Sequence, residues 1–193
     1  MRHLIDNYIQ ADDPQQISPF GDIALIDLIV KSGISDAVNS LPKGIKGSRQ
    51  AVSETIENNI RQKIIKEHLI DPAYYENMST LLNEIIKERR SNALNYEEYL
   101  KKIAELANKV QTGTSGDIPV TIKTPAQRSL FNNLNKNENL ALEIHGAINL
   151  VRPDGWRGNE PKERVIKQKL FQILNDEAEV ERIFEIIKLQ QEY

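Results

Sequence analysis

The sequence predicts an all-α fold, an irregular bundle of roughly eight helices. Apolar residues recur at helical spacing along most of the chain, and helix-capping residues stand in front of most of these amphipathic runs. Only residues 118–122 have an extended, β-branched character, and Pro119 argues against a central strand there. No internal repeat interrupts this pattern.

The first predicted helix spans residues 22–31, in which Asp27 is the only internal charge. It ends at Ser32-Gly33, a typical helix-end signal. A run this apolar is expected to be buried on most sides. A buried strand would show the same pattern, because periodicity alone does not separate the two for short apolar runs.

The second helix is predicted to begin after Ser48 as N-cap and to run to about His68. Its apolar residues repeat every four positions and therefore line one face; they are Val52, Ile56, Ile60 and Ile64. The charged residues between them are expected to form a solvated or partner-facing side: Glu54, Glu57, Arg61 and Lys63.

The remaining helices are predicted from their start signals, since Asp, Asn and Thr accept first-turn amides and proline fits the first helical position. They begin at Asp71-Pro72, at Asn95 (to about Val110), at Thr124-Pro125 (toward Leu134), at Asn137 or Glu138 (toward Val151), at Asn159-Glu160-Pro161 (toward Leu174) and at Asn175-Asp176 (to near Tyr193). The Gly, Ser and Thr residues around 112–117 mark a possible internal boundary near 112–123.

Composition limits the classes of function. The chain of 193 residues has a net charge of -3, so any contact with DNA must be local rather than driven by overall charge. Without cysteine it has no disulfide, no thiolate metal site and no cysteine nucleophile. It shows no signal-peptide pattern and no apolar run of about 20 residues, so we expect a soluble, cytoplasmic protein.

The residues that usually carry catalysis are not grouped in this sequence. The three histidines, His3, His68 and His145, are far apart and lack metal-ligand spacing. The loop 42–48 has two lysines and two glycines but not the Walker spacing, so a basic connector is favoured over a nucleotide site. The pairs Glu54/Glu57 and Glu97/Glu98 are interpreted as solvated charge. We therefore predict no catalytic residue and no metal site.

The least ordinary segment is the turn-rich loop at residues 153–160, which holds the only tryptophan. Trp156 and Arg157 are residue types favoured as anchors for a protein partner. They could instead contact a base or phosphates, or Trp156 could plug the core while Arg157 caps a helix end. The candidate contacts to a partner or DNA are Trp156, Arg157, Asn159, Lys162, Lys167, Lys43, Lys46 and Arg61.

Several blocks stand out along the chain: residues 41–47, 51–61, 72–79 with Leu81-Leu82, 96–100, 124–128 and 156–159. In order and spacing they resemble the C-terminal helical region of the restriction (motor, R) subunit of type I restriction-modification enzymes. Each block alone has low specificity, but their order and spacing fit across nearly the whole chain, from about residue 20 to Tyr193. The resemblance therefore rests on the series rather than on any single motif.

The resemblance implies a cytoplasmic parent subunit, an ATP-dependent and Mg-dependent site-specific deoxyribonuclease with nuclease and motor domains ahead of this region. The helical region would join the motor domains to the modification and specificity subunits of the methyltransferase core. Residues 1–20 would be a connector from the motor, and 21–193 the helical domain. The motor and nuclease motifs are absent from this sequence, so the resemblance carries over no catalytic residue and no cofactor. The alternative is a local DNA- or nucleotide-contacting module through the basic loop and helix.

Overall fold

The computed structural model describes residues 25–114, 116 and 118–193, and this part of the chain is all-helical. It contains ten α-helices and no strand: α1 (Leu25–Ser32), α2 (Ile34–Ser40), α3 (Lys43–Lys46), α4 (Arg49–Glu67), α5 (Pro72–Arg90), α6 (Tyr96–Thr112), α7 (Pro125–Asn133), α8 (Glu138–Val151), α9 (Glu160–Leu174) and α10 (Glu177–Leu189). The all-α prediction is confirmed. None of these helices combines the length and apolar character that crossing a bilayer requires.

The difference from the expected eight helices lies between residues 33 and 47. Gly33 adopts a positive φ of 88°, which ends α1 and allows α2 to start in a new direction. The short α3 forms because the amides of Ile45 and Lys46 both bond to the Pro42 carbonyl. The last helix ends at Leu189, earlier than predicted, because Gln190 is extended. The predicted connector 1–20 and the start of the first predicted helix lie outside the described residues.

Side-chain caps fix where most of the helices begin. In each case a side-chain oxygen accepts a hydrogen bond from an amide in the first turn, which satisfies a donor that has no partner within the helix. The capping residues are Ser48, Asp71, Asn95, Thr124, Asn137, Asn159 and Asp176. The residues that the sequence marked as helix starts therefore do cap these helices.

The buried apolar side chains form two separate clusters. The first core lies among α1, α2, α4, α5 and α6 and contains Ile56, Ile60, Met78, Tyr99 and Ile103. The second core lies among α7 to α10 and contains Leu130, Ile144, Ile148, Trp156 and Phe184. In sequence the first cluster ends at Val110 and the second begins at Ile122. The sequence places a possible boundary near residues 112–123, and that boundary stays a prediction.

A polar junction joins the two cores, at the start of α5 and along α7. The carboxylate of Asp71 accepts hydrogen bonds from the side-chain amides of Asn132 and Asn133, both at 2.7 Å. The carbonyl of Ile70 accepts hydrogen bonds from Ser129 Oγ and Gln190 Nε2, both at 2.8 Å. Directional hydrogen bonds between residues about sixty or more positions apart thus fix how α7 meets α5.

Candidate interaction surfaces

Trp156 belongs to the second core. Its side chain is only 2% exposed, and its ring packs against Phe184 with centroids 5.8 Å apart. The adjoining turn is held by a bond from the Asn159 amide to the Trp156 carbonyl at 3.0 Å and by the positive φ of Gly158. The prediction of Trp156 as a surface contact is therefore wrong for this fold, because its apolar ring is removed from solvent.

The side chain of Arg157 lies over the tryptophan ring and binds the C-terminal end of a neighbouring helix, α10. Its guanidinium carbon is 4.7 Å from the Trp156 ring centroid, and its Nε donates to the Lys188 carbonyl at 2.8 Å. Its Nη2 donates to the carbonyl of Gln190 at 2.5 Å. These carbonyls stand at the C-terminal end of α10, where a cation is favoured by the helix dipole. This arrangement matches one of the alternatives from the sequence, in which Trp156 fills the core and Arg157 caps a helix end.

The other candidates near this loop are also engaged within the chain. Asn159 caps α9 by accepting from the Lys162 amide at 3.3 Å. Lys162 Nζ donates to the Asp154 carbonyl at 2.6 Å, and Lys167 Nζ pairs with Glu181 at 2.6 Å. The structure thus groups Trp156, Arg157 and these residues in one region. The polar side chains of Arg157, Asn159, Lys162 and Lys167 have internal partners, whereas the buried Nε1 of Trp156 has none within the described residues.

The three candidates in the first half of the chain are exposed. Lys43 and Lys46 lie on α3, and neither takes part in an ion pair within the described residues. Arg61, on α4, donates to the side-chain oxygen of Asn83 at 3.3 Å. Lys43 and Lys46 therefore remain available for contact with another molecule. By contrast, Arg157, Lys162 and Lys167 are bound by groups of the chain itself.

Glu57 is a buried carboxylate, although the sequence pattern predicted that it would be solvated. It is 4% exposed and not solvated, and Arg89 binds it in a bidentate fashion at 2.8 and 3.1 Å. The Tyr99 hydroxyl also donates to Glu57, at 3.0 Å. Glu57 follows Ser53 by four residues and precedes Ile60 by three, so a helical projection places it beside the core. The network stabilises the contact of α4 with α5 and α6.

Asp71 is the other buried carboxylate. Besides its contacts with Asn132 and Asn133 it accepts from the Tyr74 amide at 3.3 Å. Burial raises the pKa of Asp71 from 3.8 to about 6, against the opposing effect of these hydrogen bonds and of the nearby Arg128. Its hydrogen bonds connect the start of α5 to α7, so Asp71 has a structural role.

The described histidines have no common site. His145 Nδ1 lies 2.9 Å from the Tyr193 hydroxyl and its Nε2 lies 3.1 Å from Asn149 Nδ2. Desolvation lowers the pKa of His145. His68 lies at the end of α4, while His3 is outside the described residues. Within the described part of the chain, no three His, Asp or Glu side chains come together as metal ligands.

Two large apolar side chains project into solvent at the C-terminal end of α4. Ile65 is 68% exposed, and Leu69, four residues later, is 66% exposed. Leu69 lies in the turn that follows α4, and both side chains line the same cavity, so the two form one surface, which we name the apolar tip. A shallow cavity of about 380 Å³ adjoins it, lined by Ile64, Ile65, His68, Leu69, Glu76 and Ser79. The one signal of this surface in the sequence is that Ile65 departs from the four-residue repeat of the buried stripe.

Comparisons of the chain with protein-family models, with curated proteins and with solved structures gave no match.

Proposed function

We propose that this chain is a non-catalytic assembly domain, the C-terminal helical domain of a type I restriction enzyme R subunit. Its role would be to couple an ATP-dependent DNA translocase and endonuclease to the methyltransferase core. The family assignment is supported by the ordered series of sequence blocks, from residues 41–47 to residues 156–159. The same blocks supply nine of the nineteen buried residues of the first core, but only Ala126 and Trp156 of the second core. They also contain the first residues of α3, α5, α6 and α7.

The observation that carries a docking role is the apolar tip. Ile65, near the end of α4, and Leu69, in the turn after it, expose about two thirds of their surface, whereas Ile60 and Ile64 of the same helix are buried. Leaving large apolar groups in water forgoes the stabilisation that burial gives, roughly 25 cal/mol per Å². A partner surface would recover it. We assign the apolar tip to the contact with the methyltransferase core, in place of the Trp156 loop.

The test is co-purification of the chain with the modification and specificity subunits encoded beside its gene. Ile65→Gln combined with Leu69→Gln should leave helical content unchanged and weaken association at least about tenfold, since about 1 kcal/mol or more is lost per side chain. The matched control is Val120→Gln with Leu150→Gln, at residues that are 92% and 87% exposed in the second half of the chain.

Retention of the subunits by the control and loss by the tip variant is the expected pattern. Equal retention by both variants would remove the apolar tip as the docking surface. A parent gene with no modification and specificity genes nearby, together with no association of the unaltered chain, would overturn the assembly role itself.

A further inference from the structure

A second exposed surface lies at the opposite end of α4 and is cationic. The segment 37–53 contains no Asp or Glu but includes Lys43, Lys46 and Arg49. All three side chains are exposed, on α3 and at the first position of α4. We name these three residues the basic corner.

The cations of the basic corner have no acidic partner within the described part of the chain. Ion pairs elsewhere engage Lys63, Arg89, Lys102, Arg164, Lys167, Arg182 and Lys188. Arg89 is the nearest comparison, because it lines the same cavity as Arg49 but is already bound by Glu57. Because residues 37–53 contain no acid to offset these three charges, positive charge is concentrated on α3 and the start of α4.

The position of Arg49 works against the helix that carries it. The N-terminus of an α-helix bears partial positive charge and favours acidic residues in the first turn. The helices α6, α8, α9 and α10 follow that rule, whereas α4, α5 and α7 have no acid in the first turn. Of these three, only α4 begins with a cation, Arg49. Lys46 lies just before its Ser48 cap. This repulsion would be relieved by an anion bound at the surface.

Arg49 is also held in place. Its guanidinium carbon lies 5.0 Å from the centre of the Tyr96 ring. Tyr96 stacks on Tyr99 with centroids 6.2 Å apart, and Tyr99 is fixed by its bond to the buried Glu57. An arginine that lies over an aromatic ring keeps its N–H edge free for a phosphate oxygen while its rotamer is already restricted. A cavity of about 280 Å³ beside it leaves room for such a group.

We propose that the basic corner, Lys43, Lys46 and Arg49, binds the phosphate backbone of duplex DNA. The exposed lysines act as point charges and Arg49 supplies an oriented pair of donors, a combination that suits contact with successive phosphates rather than reading of bases. The proposal does not depend on the assembly role, because DNA binding is measured without any other subunit.

The test is a fluorescence-anisotropy titration of the full chain with a labelled duplex of mixed sequence, repeated across a series of salt concentrations. Three phosphate contacts predict a log–log salt slope of about -2.7. The triple substitution Lys43→Gln, Lys46→Gln and Arg49→Gln should weaken binding at least about tenfold at low salt and flatten that slope. The matched control replaces three exposed lysines with the same change of net charge: Lys31→Gln, Lys66→Gln and Lys109→Gln.

Strong loss in the triple variant and little loss in the control support the proposal, provided that both keep the helical signal of the unaltered chain. Absence of DNA binding at micromolar protein and low salt would overturn it. Equal weakening by the control would overturn it as well, because the binding would then reflect overall charge. Retained binding to an acidic protein surface without binding to DNA would assign the basic corner to a protein partner instead.

Discussion

Replacing Asp71 by asparagine should change how the stability of the chain depends on pH. Burial makes the folded chain hold the Asp71 proton more tightly than the unfolded chain does, since the pKa rises from 3.8 to about 6. Between these values the folded state binds more protons, so the contribution of Asp71 to stability is largest near pH 4 and falls as the pH rises through 6.

The difference between the two pKa values corresponds to a total change of about 3 kcal/mol in what this carboxyl contributes to the free energy of unfolding. The asparagine side chain of Asp71→Asn would keep the cap on the Tyr74 amide but has no proton to exchange. It offers one acceptor oxygen where the carboxylate offers two, so one of the hydrogen bonds from Asn132 and Asn133 is lost, at about 1 kcal/mol. At pH 4 part of this free energy is already lost, so relative to Asp71→Asn the unaltered chain should lose about 2 kcal/mol of unfolding free energy between pH 4 and pH 7.

The measurement is urea unfolding followed by circular dichroism at several pH values. Asp176→Asn is the matched control, because Asp176 is an exposed N-cap aspartate whose side chain accepts from the Glu179 amide at 3.0 Å. Parallel stability curves for the unaltered chain and Asp71→Asn across pH 4 to 7 would refute the reasoning. The junction would then not hold a carboxylate that prefers its neutral form.

Two further substitutions test the cores. Arg89→Met leaves Glu57 buried without its counter-ion and should lower the unfolding free energy by about 2 to 4 kcal/mol; Arg90→Met, at the exposed neighbour, should change it by less than about 0.5 kcal/mol. Equal effects would contradict the buried pair. Trp156→Ala should cost about 3 to 5 kcal/mol in the same assay, whereas Leu150→Ala, at an 87% exposed residue, should be nearly neutral. A stable Trp156→Ala chain would show that the ring does not fill the second core.

Local chemistry explains why the helices were predictable. Asp71 with Pro72, Asn95 with Glu98, and Thr124 with Gln127 each carry the cap and the first-turn residue that it needs, within four positions of sequence. The short α2 and α3 were missed because their starts lack a side-chain cap: Gly33 and Pro42 occupy those positions. Their ends are set by backbone conformation, which the residue pattern specifies only weakly.

The surfaces were less predictable because they depend on contacts distant in sequence. Glu57 is buried by Arg89 and Tyr99, which are 32 and 42 residues away. Arg157 finds its acceptors at Lys188 and Gln190, more than thirty residues on. The sequence marked Arg157 as unusual but not Glu57, which was interpreted as solvated charge, and only the tertiary structure shows that the fold itself uses both.

The placement of the single tryptophan gives the two halves of the molecule different optical signatures. Trp156 lies in the second core, whereas Tyr74, Tyr75 and Tyr99 lie in the first. Indole emission therefore reports the melting of one cluster, while backbone ellipticity averages over both. The unmodified chain thus carries a built-in probe of whether its halves unfold together or in sequence.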